Sequence, residues 1–159
     1  MRNKKTRSMS FFTTGFTYIE IVIAIGILAL LGAIGLSSFS TWQRGHALDA
    51  TYRQAISFLE EARNKTLSSE NSASYGVRFE TDKITLFQSP FVEGASDNKE
   101  IILNNYVSIS NIVLTGSASD VIFDKLSGET ANYGSVVISE KNNPLNSKTI
   151  TIQQSGTVR

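Results

Sequence analysis

Hydrophobic positions along this chain follow three successive patterns. The first is continuous: from Ile21 to Leu36, sixteen residues follow one another without a polar side chain. The second is helical. Leu48, Tyr52, Ala55, Leu59 and Ala62 recur at spacings of 4, 3, 4 and 3, and Ile56 widens the stripe. Arg53, Glu60, Glu61, Arg63 and Asn64 lie mostly off it, as on an amphipathic helix with one buried face. The third pattern alternates: Tyr75, Val77 and Phe79 interleave with Arg78 and Glu80, which is the period of a strand.

No proline occurs before Pro90, so a single helix from Phe16 to about Leu67 is predicted, roughly 75–80 Å long. The polar stretch Ser68–Ser74 reads as its break. A hairpin follows, with Tyr75–Phe79 and Ile84–Phe87 joined through Thr81-Asp82-Lys83. Pro90, Gly94 and Asp97 mark Gln88–Asn98 as a loop. Further strands are predicted at Glu100–Leu103, Tyr106–Leu114, Asp120–Phe123, Gly134–Ser139 and Lys148–Gln153. A turn is expected at Asn142-Asn143-Pro144, and a last extended piece at Thr157–Arg159 after Gly156. About seven short strands with turn signals imply a compact antiparallel sheet or small sandwich.

Composition changes this picture only when divided. The 159 residues, 41% hydrophobic with mean hydropathy −0.05, average out to one soluble domain. Arg2, Lys4, Lys5 and Arg7, with no acid, give the first 15 residues +4; the whole is +1, so the remaining 144 carry +1 − 4 = −3. Zero cysteines exclude a disulfide scaffold, a thiolate metal site and a cysteine nucleophile. The single histidine, His46, leaves histidine-rich zinc sites and most catalytic triads without parts. An enzyme is not expected, and neither is a cofactor.

A basic segment ahead of an apolar run marks the cytoplasmic side of a membrane, with the remainder translocated. Sixteen residues span about 24 Å, short of a bilayer core of about 30 Å. The 24 residues Phe16–Phe39 reach about 36 Å, which suffices. Their cost is Glu20, because an acid at the centre of a membrane helix costs about 2.5–3.5 kcal/mol and normally has a partner. A cleaved secretory signal would use small-x-small spacing at Ser38 and Ser40 or at Gly35 and Ser37. An uncleaved signal anchor explains the orientation. Neither accounts for Glu20.

Gly15-Phe16-Thr17-Tyr18-Ile19-Glu20, preceded by the basic leader and followed by the apolar run, resembles the processing site of type IV prepilins and type II secretion pseudopilins. The resemblance implies cleavage between Gly15 and Phe16 by a prepilin peptidase that also N-methylates Phe16. It implies that Glu20, then the fifth mature residue, pairs with the terminal amine of a neighbouring subunit. Many members carry Pro-Ser-Phe where this chain has Ser37-Ser38-Phe39, so no proline kink is imposed. Gly26, Gly32 and Gly35 weaken the helix by about 1 kcal/mol each relative to alanine, and in filaments of the family part of this region can unwind.

The C-terminal part is similar to GspH/FimT-type minor pseudopilins, over roughly Tyr75–Arg159. The resemblance rests on Val121-Ile-Phe123, Gly128, Gly134, Val136-Val-Ile138, Ile150-Thr-Ile152 and Gly156-Thr-Val158. DNA-binding relatives end in Gly-Arg-x-Arg, whereas this chain ends in Gly156-Thr157-Val158-Arg159. Past the apolar run, 11 Lys/Arg face 13 Asp/Glu, a charge of −2 that disfavours DNA. Lys141, Lys148 and Arg159 are the cations that would have to cluster.

Other polar groups carry weaker signals. Glu93, Asp97, Asn98 and Glu100 supply oxygens, but their spacing matches no calcium loop, and no metal is expected. Asp120 and Asp124 read as charges at strand ends. His46 sits with Arg44 and Asp49 near a membrane exit, where Trp42 fits the aromatic interface position. The formal sequon Asn64-Lys65-Thr66 lies on the predicted helix and is discounted.

The expectation is therefore an α+β, pilin-like chain. Residues 1–15 form a cleaved leader, 16–40 a transmembrane and filament-core helix, 41–68 its amphipathic continuation and 75–159 the β-rich domain. The resemblance implies a minor pilin or pseudopilin, a structural subunit of a type IV pilus or a type II secretion pseudopilus. Its partners would be other pilin subunits, prepilin peptidase and the membrane. It would cross the bacterial cytoplasmic membrane once, N-terminus inside, before entering a filament. The alternative is a FimT-like DNA-binding minor pilin.

Overall fold

The computed structural model describes residues 15–159, with backbone alone over 34–41. The leader therefore lies outside the described residues except for Gly15. The chain is α+β. Helix α1 (Tyr18–Leu67) is followed by strands β1 (Tyr75–Phe79), β2 (Lys83–Gln88), β3 (Lys99–Ile102), β4 (Val107–Leu114), β5 (Asp120–Ile122), β6 (Gly134–Glu140) and β7 (Asn143–Ile152). It divides between Ser40 and Thr41 into two units.

In the first unit α1 begins at Tyr18 and its backbone stays helical through Gly26, Gly32 and Gly35. Its described side chains are exposed throughout. Among the described residues no helix is long and apolar enough to cross a membrane; the apolar run continues from Ala33 into residues whose side chains are outside the description.

In the second unit α1 buries one seam: Leu48, Thr51, Ala55, Leu59, Ala62 and Thr66. Five steps cover 18 residues, or 3.6 per step, the pitch of a straight helix. The expected stripe is thus corrected at one position and extended by Thr66 at its end. Thr51 is buried, while Tyr52 sits half-buried at the margin with the Lys148 ammonium 5.1 Å from its ring centre. Small residues at 55 and 62 let the strands come close. The helix stops where Ser69 turns left-handed (φ 53°), after the Ser68 amide has bonded the Asn64 carbonyl. Thr66 joins this end to β1: its hydroxyl donates to the Ala62 carbonyl and accepts the Tyr75 amide, both at 2.8 Å.

The strands form two antiparallel sheets, β3-β2-β1-β5 and β4-β6-β7. Val77, Phe79, Ile84, Leu86, Val121 and Phe123 of the first meet Val107, Ile109, Val136, Ile138, Ile150 and Ile152 of the second, with the helix seam, in one core. Burial of that apolar surface is the main term holding the unit together. Strand β2 is buried on both faces. On its outer side Phe87 packs edge-on to Phe91, 5.1 Å between ring centres, and the Arg78 guanidinium lies 3.7 Å over Phe91. Gly76 makes room for this layer, since a Cβ there would fall 2.9 Å from the Phe87 ring and 2.7 Å from the Val121 carbonyl.

Most predicted strands are present within a residue or two. The exception is β7, which begins at Asn143 rather than Lys148. Pro144 reads as a turn breaker, yet β7 is an edge strand, where a residue without an N–H is tolerated. The final extended piece returns as expected: Val158 bridges Ile152, and Thr151 and Arg159 exchange backbone hydrogen bonds.

Candidate functional site

The predicted processing segment sits at the start of α1. Gly15 and Phe16 precede the helix and are exposed. Thr17 and Glu20 then bond reciprocally: the Thr17 amide donates to Glu20 Oε2 and the Glu20 amide to Thr17 Oγ1, each at 3.4 Å. This is a capping box, which satisfies two of the helix's unpaired first-turn donors. A carboxylate in the first turn also faces the positive end of the helix dipole. Glu20 therefore has a local role besides the one the resemblance implies. The role of Thr17 was legible in Thr17-x-x-Glu20 ahead of an apolar run, although composition and periodicity pass over it.

Past this cap the helix is apolar on every side. Tyr18, Ile19, Val22, Ile25, Leu28 and Leu31 are between 46% and 85% exposed. A helix hydrophobic all round requires a lipid or protein environment, and a patch of this extent marks an interaction surface. At Gly26 and Gly32 a Cβ would meet nothing within 4 Å beyond the neighbouring residues and backbone of the helix itself.

The remaining candidates disperse. Asp120 holds Arg78 through two 2.6 Å bonds, which raises the guanidinium pKa above its ordinary value, chiefly through that bonding. Asp124 instead anchors a turn, its carbonyl accepting the Gly128 amide. Glu100 pairs with Lys83, Asp97 accepts from Ser96, and the Asn98 amide donates to the Val92 carbonyl. Among the described residues no three His, Asp or Glu side chains are placed to hold a metal ion. Thr66 of the formal sequon is fully buried and committed at both ends of its hydroxyl.

The three cations considered for DNA are strung along the β6–β7 edge. Lys148 is paired with Asp49, Arg159 lies beside Thr151, about 10 Å along the strand from Lys148, and Lys141 stands at the hairpin tip. A groove of about 290 Å³ runs between α1 and the C-terminal turn, lined by Glu60, Arg63, Asn64, Gly156, Thr157 and Val158. Arg63 spans it, its Nε donating to the Gly128 carbonyl at 3.1 Å and Nη2 to the Ser155 carbonyl at 3.4 Å. No spacing in the sequence pointed to this clamp, because its partners are backbone carbonyls 65 and 92 residues away.

The architecture has counterparts among solved structures. The minor pseudopilin EpsH from the Type 2 Secretion System of Vibrio cholerae superposes with a TM-score of 0.55 at 18% identity, covering 70% of this chain and 94% of that one. The fold is pseudopilin-like. A second structure of EpsH gives a TM-score of 0.53 at 15% identity, covering 72% and 92%. No protein-family model and no curated sequence matches the chain. Gly128 and Gly156 both have positive φ, and a Cβ on either would crowd Arg63 Nε, at 3.1 and 2.8 Å.

Proposed function

We propose that this chain is a minor pseudopilin, a structural subunit without catalytic activity. One observation carries the reading: an all-round apolar, exposed helix with a lone acid in its capped first turn leads into a pseudopilin-like β domain. In this reading the leader Met1–Gly15 holds the precursor with its N-terminus in the cytoplasm. Prepilin peptidase cuts after Gly15 and methylates the amine of Phe16. The segment Phe16–Phe39 crosses the inner membrane once, and the β domain lies outside.

On assembly, subunits leave the bilayer and pack their apolar helices together. Glu20 releases part of its bonding to Thr17 and takes the ammonium of a neighbour's Phe16. The attraction of the two charges grows steeply in a low-dielectric filament core, which suits it to setting axial register. Both structural counterparts come from a type II secretion system, which favours a secretion pseudopilus over a type IV pilus. Nothing favours the DNA-binding alternative: the cations do not gather, and Thr157 stands where that motif has arginine.

Two substitutions test the role of Glu20 through disulfide capture between Ile27→Cys subunits in cells expressing the secretion system. Glu20→Gln keeps the capping geometry, since glutamine serves equally in a capping box, but removes the charge. Glu20→Ala removes both. Loss of captured dimers in both variants is expected. Normal capture with Glu20→Gln would reduce Glu20 to a helix cap and sink the pairing.

A further inference from the structure

We infer that the end of the β domain nearest Thr41 is a bilayer foot, a surface that rests on anionic lipid headgroups before the subunit is assembled. The inference builds on the membrane-spanning reading above. Its geometry belongs to the second unit alone.

Three contacts lay the β6–β7 hairpin along α1 in order. Arg63 meets the turn at Gly128 and Ser155, Lys148 meets Asp49 and Tyr52, and Glu140 faces Arg44 at 3.8 Å. Moving along β6 toward Glu140 is therefore moving along the helix toward Thr41. From Arg44 to Trp42 the helix drops about 3 Å, and the two-residue turn Lys141-Asn142, which closes the Glu140↔Asn143 pair, carries the hairpin about 3 Å beyond Glu140. The hairpin tip reaches the level of Trp42.

The tip is built to push a leucine outward. Pairing slips from Ser139↔Ser147 to Glu140↔Asn143, so Pro144, Leu145 and Asn146 leave the ladder. The Asn146 amide returns to Glu140 Oε2 at 3.1 Å, and Glu140 is itself only 6% exposed, which fixes the bulge. Leu145 is left 96% exposed. The same end carries Tyr106, whose ring centre is 5.7 Å from the Arg44 guanidinium and whose carbonyl accepts the Lys141 amide, and Trp42, two residues before Arg44 and 59% exposed.

Charge at this end runs against the rest of the unit. Arg44, Lys141 and Lys148 oppose Asp49 and Glu140, 3 − 2 = +1, while residues 41–159 together carry 11 − 13 = −2. Both acids are in ion pairs, and Lys141 has none among the described residues. Tryptophan and tyrosine favour the headgroup layer, and a lysine beside them can extend its charge to a phosphate. A transmembrane segment ending near Phe39 delivers that layer to within a few residues of Trp42. The occupant of this surface is accordingly a lipid bilayer carrying anionic headgroups.

The test uses the full chain in vesicles of phosphatidylcholine and phosphatidylglycerol with bromine high on the acyl chains. Trp42 is the sole tryptophan and reports the membrane exit; Leu145→Trp in a Trp42→Phe background reports the hairpin. Leu145 is so exposed that its replacement leaves the core untouched, and the β-sheet circular dichroism checks this. Both indoles should be quenched, the second less so in pure phosphatidylcholine or after Lys141→Glu. Quenching of Trp42 with an unquenched, water-like Leu145→Trp indole overturns the foot and leaves the membrane-spanning reading standing. Quenching of neither overturns both. Hairpin quenching that ignores lipid charge and Lys141→Glu overturns the headgroup recognition.

Discussion

Replacing Gly156 with alanine should unlock the C-terminal turn. Gly156 has φ +77°, and a Cβ there would lie 1.9 Å from the Gly128 carbonyl oxygen and 2.8 Å from Arg63 Nε. The carbonyl is backbone and has no rotamer to escape into. Its loop is also held from the other side, since the Thr130 amide bonds the Gln154 carbonyl at 2.9 Å. A left-handed residue with a side chain costs about 1–2 kcal/mol, and forced overpacking about 1–3 kcal/mol. Together they predict a loss of about 2–5 kcal/mol. Displacing Gly128 also breaks its bond to Arg63, a partly exposed charge-assisted contact that Arg63→Ala alone should reveal at about 1 kcal/mol. Because both variants strike the same carbonyl, their costs should not add. Urea unfolding of the full chain in detergent micelles, followed by β-sheet circular dichroism, measures both single variants and the double. A Gly156→Ala cost below about 0.5 kcal/mol, the level of an ordinary surface change, or strict additivity with Arg63→Ala, would refute the clamp.

Two further outcomes follow from the same contacts. Thr66→Val strands the buried Tyr75 amide without an acceptor and should cost about 1–3 kcal/mol, while Thr66→Ser, which keeps the hydroxyl, should recover most of it; equal losses in the two would show that the hydroxyl carries nothing. Lys148 lowers the Asp49 pKa, first by hydrogen bonding and then by its charge. The pair's contribution is therefore present above the ordinary carboxylate value, 3.8, and lost as pH falls through the lowered one. Carboxyl NMR should find the Asp49 midpoint moving up in Lys148→Met, and an unmoved midpoint would sever the pair.

What the sequence revealed depended on how local each determinant is. The helix seam was legible because burial repeats every 3.6 residues; Thr51, in place of Tyr52, and Thr66 escaped, since a threonine does not register as apolar. The β1–β2 hairpin was legible from alternation. The start of β7 was not: Pro144 signals a turn unless one knows that this strand is an edge, and that is a property of the sheet order. At the candidate site, Gly15, Phe16 and Glu20 were singled out by a local motif and an acid out of place in apolar surroundings. Arg63 stayed hidden, since it bonds to main-chain carbonyls that any residue could supply. The exposed Leu145 escaped for a similar reason, because only the slipped register between Ser139 and Glu140 takes it out of the ladder.

The mature N-terminus tests the central claim most directly. The full chain, produced alongside a prepilin peptidase and recovered from the membrane fraction, is analysed by intact-mass and N-terminal fragment spectrometry. The account predicts a chain beginning at Phe16, one methyl group heavier than the bare sequence, with Glu20 as its fifth residue. An intact leader, or a first residue beyond Leu36, would contradict it.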